Sequence, residues 1–156
     1  MTWPSISPTS PAGKIKLAVA NIMKVLYVCV HNAGRSQMAE AITNHLSKAQ
    51  NLDIQAKSAG TVGGKQLNPQ AVEALSEIGI SLEGHKPKFL TPEMVSEADQ
   101  IISMGCGVDA EACPTKFLLT EDWELDDPAG QDINAVRVIR DQIIQRVKNL
   151  IKEPQA

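Results

Sequence analysis

Aromatic side chains are scarce in this chain: two Trp, one Tyr and two Phe in 156 residues. So few rings argue against a surface that stacks nucleic-acid bases. Positive charge is not in excess either. Lys and Arg number 15 against 18 Asp and Glu, a formal net charge of −3 without a dense basic run, which makes nucleic acid a poor partner. No stretch reaches the roughly 20 apolar residues that a membrane span needs. The nearest approach, Leu17 to Val30, is interrupted by Asn21 and Lys24. No small-residue cleavage site follows it, so the expectation is a cytoplasmic protein with no membrane partner. Cysteine is limited to Cys29, Cys106 and Cys113, too few and odd in number for a disulfide framework. There is no C-x2-C pair, and His31, His45 and His85 lack zinc-type spacing, so the pattern implies no zinc.

What the chain does have is 43% hydrophobic residues and a length suited to one domain with a layered core. Met1 to Gly13 is rich in Pro, Ser and Thr and has no period, which predicts a flexible tail. Lys14 to Met23 reads as a short helical lead-in. A first strand is expected over Lys24 to Cys29 and a first helix over Ser36 to Ser47, with Met38, Ile42 and Leu46 on one face. Asp53 to Ser58 predicts a second strand, ending in Ala59-Gly60, and Thr61 to Lys65 a glycine-rich turn. Asn68-Pro69 has the form of a helix cap with proline at the first position, and that helix should bury Val72, Leu75 and Ile78. Thr91-Pro92-Glu93 starts another helix containing Met94 and Val95. Ile101 to Met104 predicts a third strand and Lys116 to Leu119 a short fourth. Steps of three and four through Val136, Ile139, Ile143, Val147 and Leu150 predict a final helix over Asp132 to Lys152. Alternating strands and helices imply an α/β fold, a parallel sheet with helices on both faces.

In such a sheet ligands bind beyond the carboxyl ends of the strands, where Cys29 falls. The run Cys29-Val30-His31-Asn32-Ala33-Gly34-Arg35-Ser36 puts a cysteine at a strand end and an arginine at a helix start. Backbone N–H groups and the helix dipole then converge as an anion cradle, and the same field favours a thiolate. Taken alone, Cys29 would read as a small buried residue. Arg35 tips the balance, because its planar fork of donors matches two oxygens of a tetrahedral oxyanion. Asn32 and Gly34 tolerate the positive φ that a tight cradle asks for. Ser36 has two readings, a donor to the Cys29 thiolate or a plain helix cap.

CVHNAGRS resembles the C-x5-R-[ST] signature of the low-molecular-weight protein tyrosine phosphatase superfamily, and the resemblance runs from about Met23 onward. It implies a three-layer α/β/α fold with a four-stranded parallel sheet, and an oxyanion loop of Val30, His31, Asn32, Ala33, Gly34, Arg35 and Ser36. It also implies a general acid at an Asp-Pro pair, here Asp127-Pro128, with Asp126 as an adjacent competitor. Because members commonly begin just before the first strand, residues 1–22 are expected to be a dispensable extension of one domain spanning 23–156. Two departures stand out: Ala129 occupies the place where phosphatase members carry a tyrosine that stacks on aryl substrates, and His31 replaces a usual glycine. The imidazole reads as a solvent-facing bystander or as a contact at the cradle mouth.

Phosphate ester hydrolysis transfers no electrons, yet Cys106 and Cys113 follow directly on the third strand, on the same sheet edge as Cys29. Reducing arsenate to arsenite takes two electrons, the number released when two thiols form a disulfide. In a regular helix seven steps would hold the two Cα atoms about 10.5 Å apart, whereas a disulfide wants roughly 4.4–6.8 Å. The segment must be irregular or unwind, and Gly105, Gly107 and Pro114 make that easy. The pattern is similar to the thioredoxin-coupled arsenate reductases. That resemblance implies a relay in which Cys29 attacks arsenic, Arg35 and the loop hold the oxygens, Asp127 protonates the leaving hydroxyl, Cys106 attacks Cys29, and Cys113 attacks Cys106. The implied partner is thioredoxin; the alternative is mycothiol or glutathione with a glutaredoxin-like protein. Phosphate is expected to compete with arsenate. No cofactor is expected to be tightly bound, although the resemblance offers Asn32, Glu40 and Ser58 as positions for a potassium ion.

Overall fold

Alternation along the first strand explains how the sheet is covered. The computed structural model describes residues 22–62, 66–105 and 120–152. Strand β1, Met23–Cys29, is almost wholly buried. Val25, Tyr27 and Cys29 contribute to a large core on one face, while Leu26 and Val28 join a smaller core on the other. Successive side chains leave a strand on opposite faces, so parity alone sends Cys29 toward the larger core.

β1 pairs in parallel with β2 (Ile54–Gly60) on one side and β3 (Gln100–Ser103) on the other, and a two-residue β4 (Glu121–Asp122) adds at the edge. The strand order is β2-β1-β3-β4, with Cys29 aligned against Gly60 at the end of the ladder. Helix α1 (Arg35–Ala49), α2 (Pro69–Ser76) and α4 (Ile133–Lys152) supply the larger core, and α3 (Pro92–Glu97) lies by the smaller one. The expected four-stranded parallel α/β architecture is thus the observed one. Among the described residues, no helix is long and apolar enough to cross a membrane.

Local signals translate directly where they rest on capping. The Asn68 side chain accepts from the Gln70 and Ala71 N–H groups, with Pro69 opening α2, and Thr91 accepts from Met94 N–H at the start of α3. In α4 the expected Val136, Ile139, Ile143, Val147 and Leu150 are all buried. Three expectations are corrected. α2 buries Ala71, Ala74 and Leu75 instead of running on to Ile78, which is 39% exposed in the turn after the helix. The described part of the fourth strand is Glu121–Asp122, while Lys116–Leu119 lies outside the described residues. Met23 belongs to β1, since the ladder to Ile54 begins there, and not to a helical lead-in. The tail, the remainder of the lead-in, positions 63–65 of the glycine-rich turn, Cys106 and Cys113 also lie outside the described residues.

Tyr27, the single tyrosine, is fully buried, with its hydroxyl 2.7 Å from Thr43 Oγ1 and its ring tilted against Trp123 at 5.2 Å. Burial, the largest influence, pushes the phenol's ionisation above its ordinary value. Tyr27→Phe is expected to cost about 1 kcal/mol in urea unfolding, the usual net worth of such a bond. Because the folded state holds this proton more tightly, its contribution to stability should be full below pH about 10 and decline as pH rises above it.

Candidate functional site

The loop Val30–Gly34 turns from β1 into α1 around Asn32, whose φ is +57. Backbone bonds brace the loop and its entry: Thr61 N–H donates to Cys29 O, Val62 N–H to Val30 O and Asn68 N–H to Ala33 O. Across a trans peptide the next N–H opposes each carbonyl, so the Val30, His31 and Gly34 amides face away from these donors. The cleft itself has a volume of about 460 Å³ and is lined by Cys29, Val30, His31, Ala33, Gly34 and Arg35. Its opposite wall is Asn68, Gly105 and Leu125 to Ala129. The first turn of α1 adds N–H groups without helical acceptors and the positive end of its dipole.

At the floor, Asn32 N–H donates to Cys29 Sγ at 3.2 Å, and Ser36 Oγ lies 2.9 Å from the same sulfur. Which atom donates follows from the surrounding network. Asn32 Oδ1 accepts the Lys88 backbone N–H at 2.9 Å, so its amide nitrogen must be the end that meets Ser36 Oγ, at 2.7 Å. The Ser36 oxygen is therefore an acceptor from Asn32, and its own proton is left for sulfur. Of the two readings of Ser36, geometry selects the donor. Gly34 occupies the cap position of α1 and no side chain caps it. Both donors favour the thiolate.

Arg35 is buried and aimed by backbone, with Nη1 donating to Met104 O at 3.0 Å and Leu125 O at 2.7 Å. Nη2 is 3.9 Å from Asp127 Oδ2. Asp127 stands on the rim with its side chain 65% exposed, held by Ala129 N–H donating to Oδ1 at 2.9 Å. Asp126 also lines the cleft, but the carboxylate that meets the arginine is that of Asp127. His31 is exposed at the mouth.

Two glycines are there for space. Gly34 has φ −134, so the expected need for positive φ does not hold at this position. Instead a Cβ there would fall 2.9 Å from Pro128 Cγ, the proline of the Asp-Pro pair. At Gly60 a Cβ would fall 2.7 Å from Val30 O, inside the oxyanion loop. Sequence reasoning missed the loop's supports. Gln37 Nε2 donates to Asn32 Oδ1 at 2.9 Å and Lys86 O at 3.0 Å. Lys88 Nζ donates to Glu40 Oε1 at 3.0 Å, and the same oxygen accepts Ser58 Oγ–H at 2.6 Å. Lys86 and Lys88 lie 49 and 48 positions from Gln37 and Glu40, and no local pattern announces them.

In a chain with Cys106→Ser and Cys113→Ser, iodoacetamide should alkylate Cys29 with a midpoint below the ordinary thiol value of about 8.5. Ser36→Ala should move that midpoint upward, measured by the pH dependence of the alkylation rate. Gly60→Ala should weaken phosphate protection of Cys29 while circular dichroism stays native.

A family model described as low molecular weight phosphotyrosine protein phosphatase matches residues 24–156. A putative arsenate reductase of Halobacterium salinarum is 35% identical over 132 residues, covering 81% of this chain and 89% of the relative. A glutaredoxin arsenate reductase of a Synechocystis species is 34% identical, covering 82% and 95%. Among solved structures, a Corynebacterium glutamicum thioredoxin-dependent arsenate reductase is similar with a TM-score of 0.66 and 34% identity, over 90% of this chain and 70% of that one.

Proposed function

This chain belongs to the low molecular weight phosphotyrosine protein phosphatase family, and within it we propose that the chain is an arsenate reductase working by an internal thiol relay. One observation carries the reading beyond oxyanion binding. Gly105, the residue before Cys106, lines the same cleft as Cys29. It is pinned there: its N–H donates to Asp122 Oδ1 at 2.6 Å, and its φ of +80 and contact with the Leu125 backbone admit no side chain. Names of relatives in this family support arsenate as the substrate. Ala129, with no ring to stack on an aryl group, speaks against a tyrosine phosphatase.

The chemistry balances on the chain's own groups. The Cys29 thiolate displaces one hydroxyl of arsenate, which leaves as water with a proton from Asp127, while Arg35 and the loop amides hold the other oxygens. Cys106 then attacks the Cys29 sulfur. The S–As bonding pair stays on arsenic, which leaves as arsenite, and a Cys29–Cys106 disulfide remains. Cys113 attacks Cys106 and frees the Cys29 thiolate, so two thiols have supplied two electrons. An external dithiol, thioredoxin in this reading, reduces the Cys106–Cys113 disulfide.

Single-turnover arsenite release by fully reduced protein without added thiol tests the relay. About one equivalent is expected, as one disulfide carries one electron pair. Cys29→Ser and Cys106→Ser should each abolish it. Cys113→Ser should keep the first turnover and lose thioredoxin-driven cycling. Release only when a small thiol is added would replace the relay with a glutaredoxin-type route, and hydrolysis of aryl phosphate without arsenite release would replace it with a phosphatase.

A further inference from the structure

Beneath the oxyanion loop lies a buried polar cluster that the relay does not use. Its centre is Glu40, whose side chain is 11% exposed. Oε1 accepts from Ser58 Oγ at 2.6 Å and from the Lys88 ammonium at 3.0 Å. Lys88 also holds its surroundings through the backbone: its N–H donates to Asn32 Oδ1 and its carbonyl accepts from Gly60 N–H at 2.7 Å. One residue therefore links the loop, the end of β2 and the second turn of α1. His85 Nδ1 is 3.7 Å from Glu40 Oε2. However, Gln37 Nε2 is fixed as a donor by Lys86 O, so its Oε1 is the atom facing His85 Nδ1, at 3.2 Å. His85 Nδ1 is then the donor in that bond.

We propose that Lys88 is a positioning residue, the fixed counterion of Glu40 under the oxyanion loop, and that the chain needs no potassium ion there. Asn32, Glu40 and Ser58 are joined through Lys88, and two of their acceptor oxygens, Asn32 Oδ1 and Glu40 Oε1, are committed. Asn32 Oδ1 takes two N–H donors, from Gln37 and Lys88. Glu40 Oε1 takes two donors, one of them cationic. A further cation would compete with those donors at both oxygens and would meet the Lys88 charge. Without Lys88, the buried Glu40 carboxylate would lose its directly bonded cation behind a loop that must bind a dianion.

The inference rests on residues 29–36 being the oxyanion site, and its test uses no turnover. Phosphate protection of Cys29 against iodoacetamide is measured with Cys106→Ser and Cys113→Ser in place, in choline chloride and in potassium chloride of equal ionic strength. With Lys88 present, protection should agree within about twofold between the salts. Lys88→Met should weaken it at least about fivefold in choline, and either potassium chloride or a second change, Glu40→Gln, should restore it; Lys88→Arg should retain it. The paired Glu40→Gln and Lys88→Met removes both charges together, so it gives a reading even where the single variant fails to fold. Potassium-specific strengthening with Lys88 present would overturn the proposal. So would unchanged protection in Lys88→Met, or a loss that neither potassium nor Glu40→Gln recovers. Protection obeying these rules without arsenite release would remove the reductase and leave the counterion standing. No phosphate protection in any version would remove the oxyanion site and this inference with it.

Discussion

Asn32 sits in the left-handed region of backbone space, a conformation that costs a side-chain-bearing residue roughly 1–2 kcal/mol, and everything at the site depends on what holds it there. Its Oδ1 receives the Lys88 amide and Gln37, its Nδ2 reaches Ser36 Oγ, and its own N–H meets Cys29 Sγ. Four bonds from one fully buried residue offset the backbone cost and close the loop. The same bonds orient the Ser36 proton toward sulfur. Loop shape and thiolate stabilisation are therefore one network, in which each bond polarises the next.

A second constraint binds three loops into one unit. Arg35 takes its direction from the carbonyls of Met104 and Leu125, so the guanidinium is aimed before any anion arrives. Pro128 packs against Gly34, and Gly105 packs against the Glu124–Leu125 backbone. The anion loop, the Asp127 loop and the end of β3 thus meet with no room for an extra methyl group. Groups held this way pay little reorganisation when charge moves, which is what oxyanion chemistry demands.

Much of this was legible from local pattern. The β1 run, the capping signals at Asn68 and Thr91 and the α4 periodicity each rest on physics acting within a few residues, and each element stands where that physics puts it. α1 was legible in extent but not in burial. Reading one apolar face from Met38, Ile42 and Leu46 missed that every residue from Arg35 to Thr43 is buried, polar ones included. Among those polar residues, Arg35, Gln37 and Glu40 are satisfied by Met104, Lys86, Ser58 and Lys88, which lie far along the chain.

The amino-acid sequence by itself determined the strand–loop–helix that carries Cys29 and Arg35, because an apolar run, a turn and a helix start are all short-range events. It likewise determined which carboxylate stands before a proline. Only the tertiary structure decided that Ser36 serves the sulfur instead of a cap, that Gly34 and Gly60 are demanded by crowding, and that Glu40 faces an ammonium from Lys88. Those outcomes depend on which distant backbone comes to rest beside the loop, and close packing settles that only when the whole sheet and its helices have assembled.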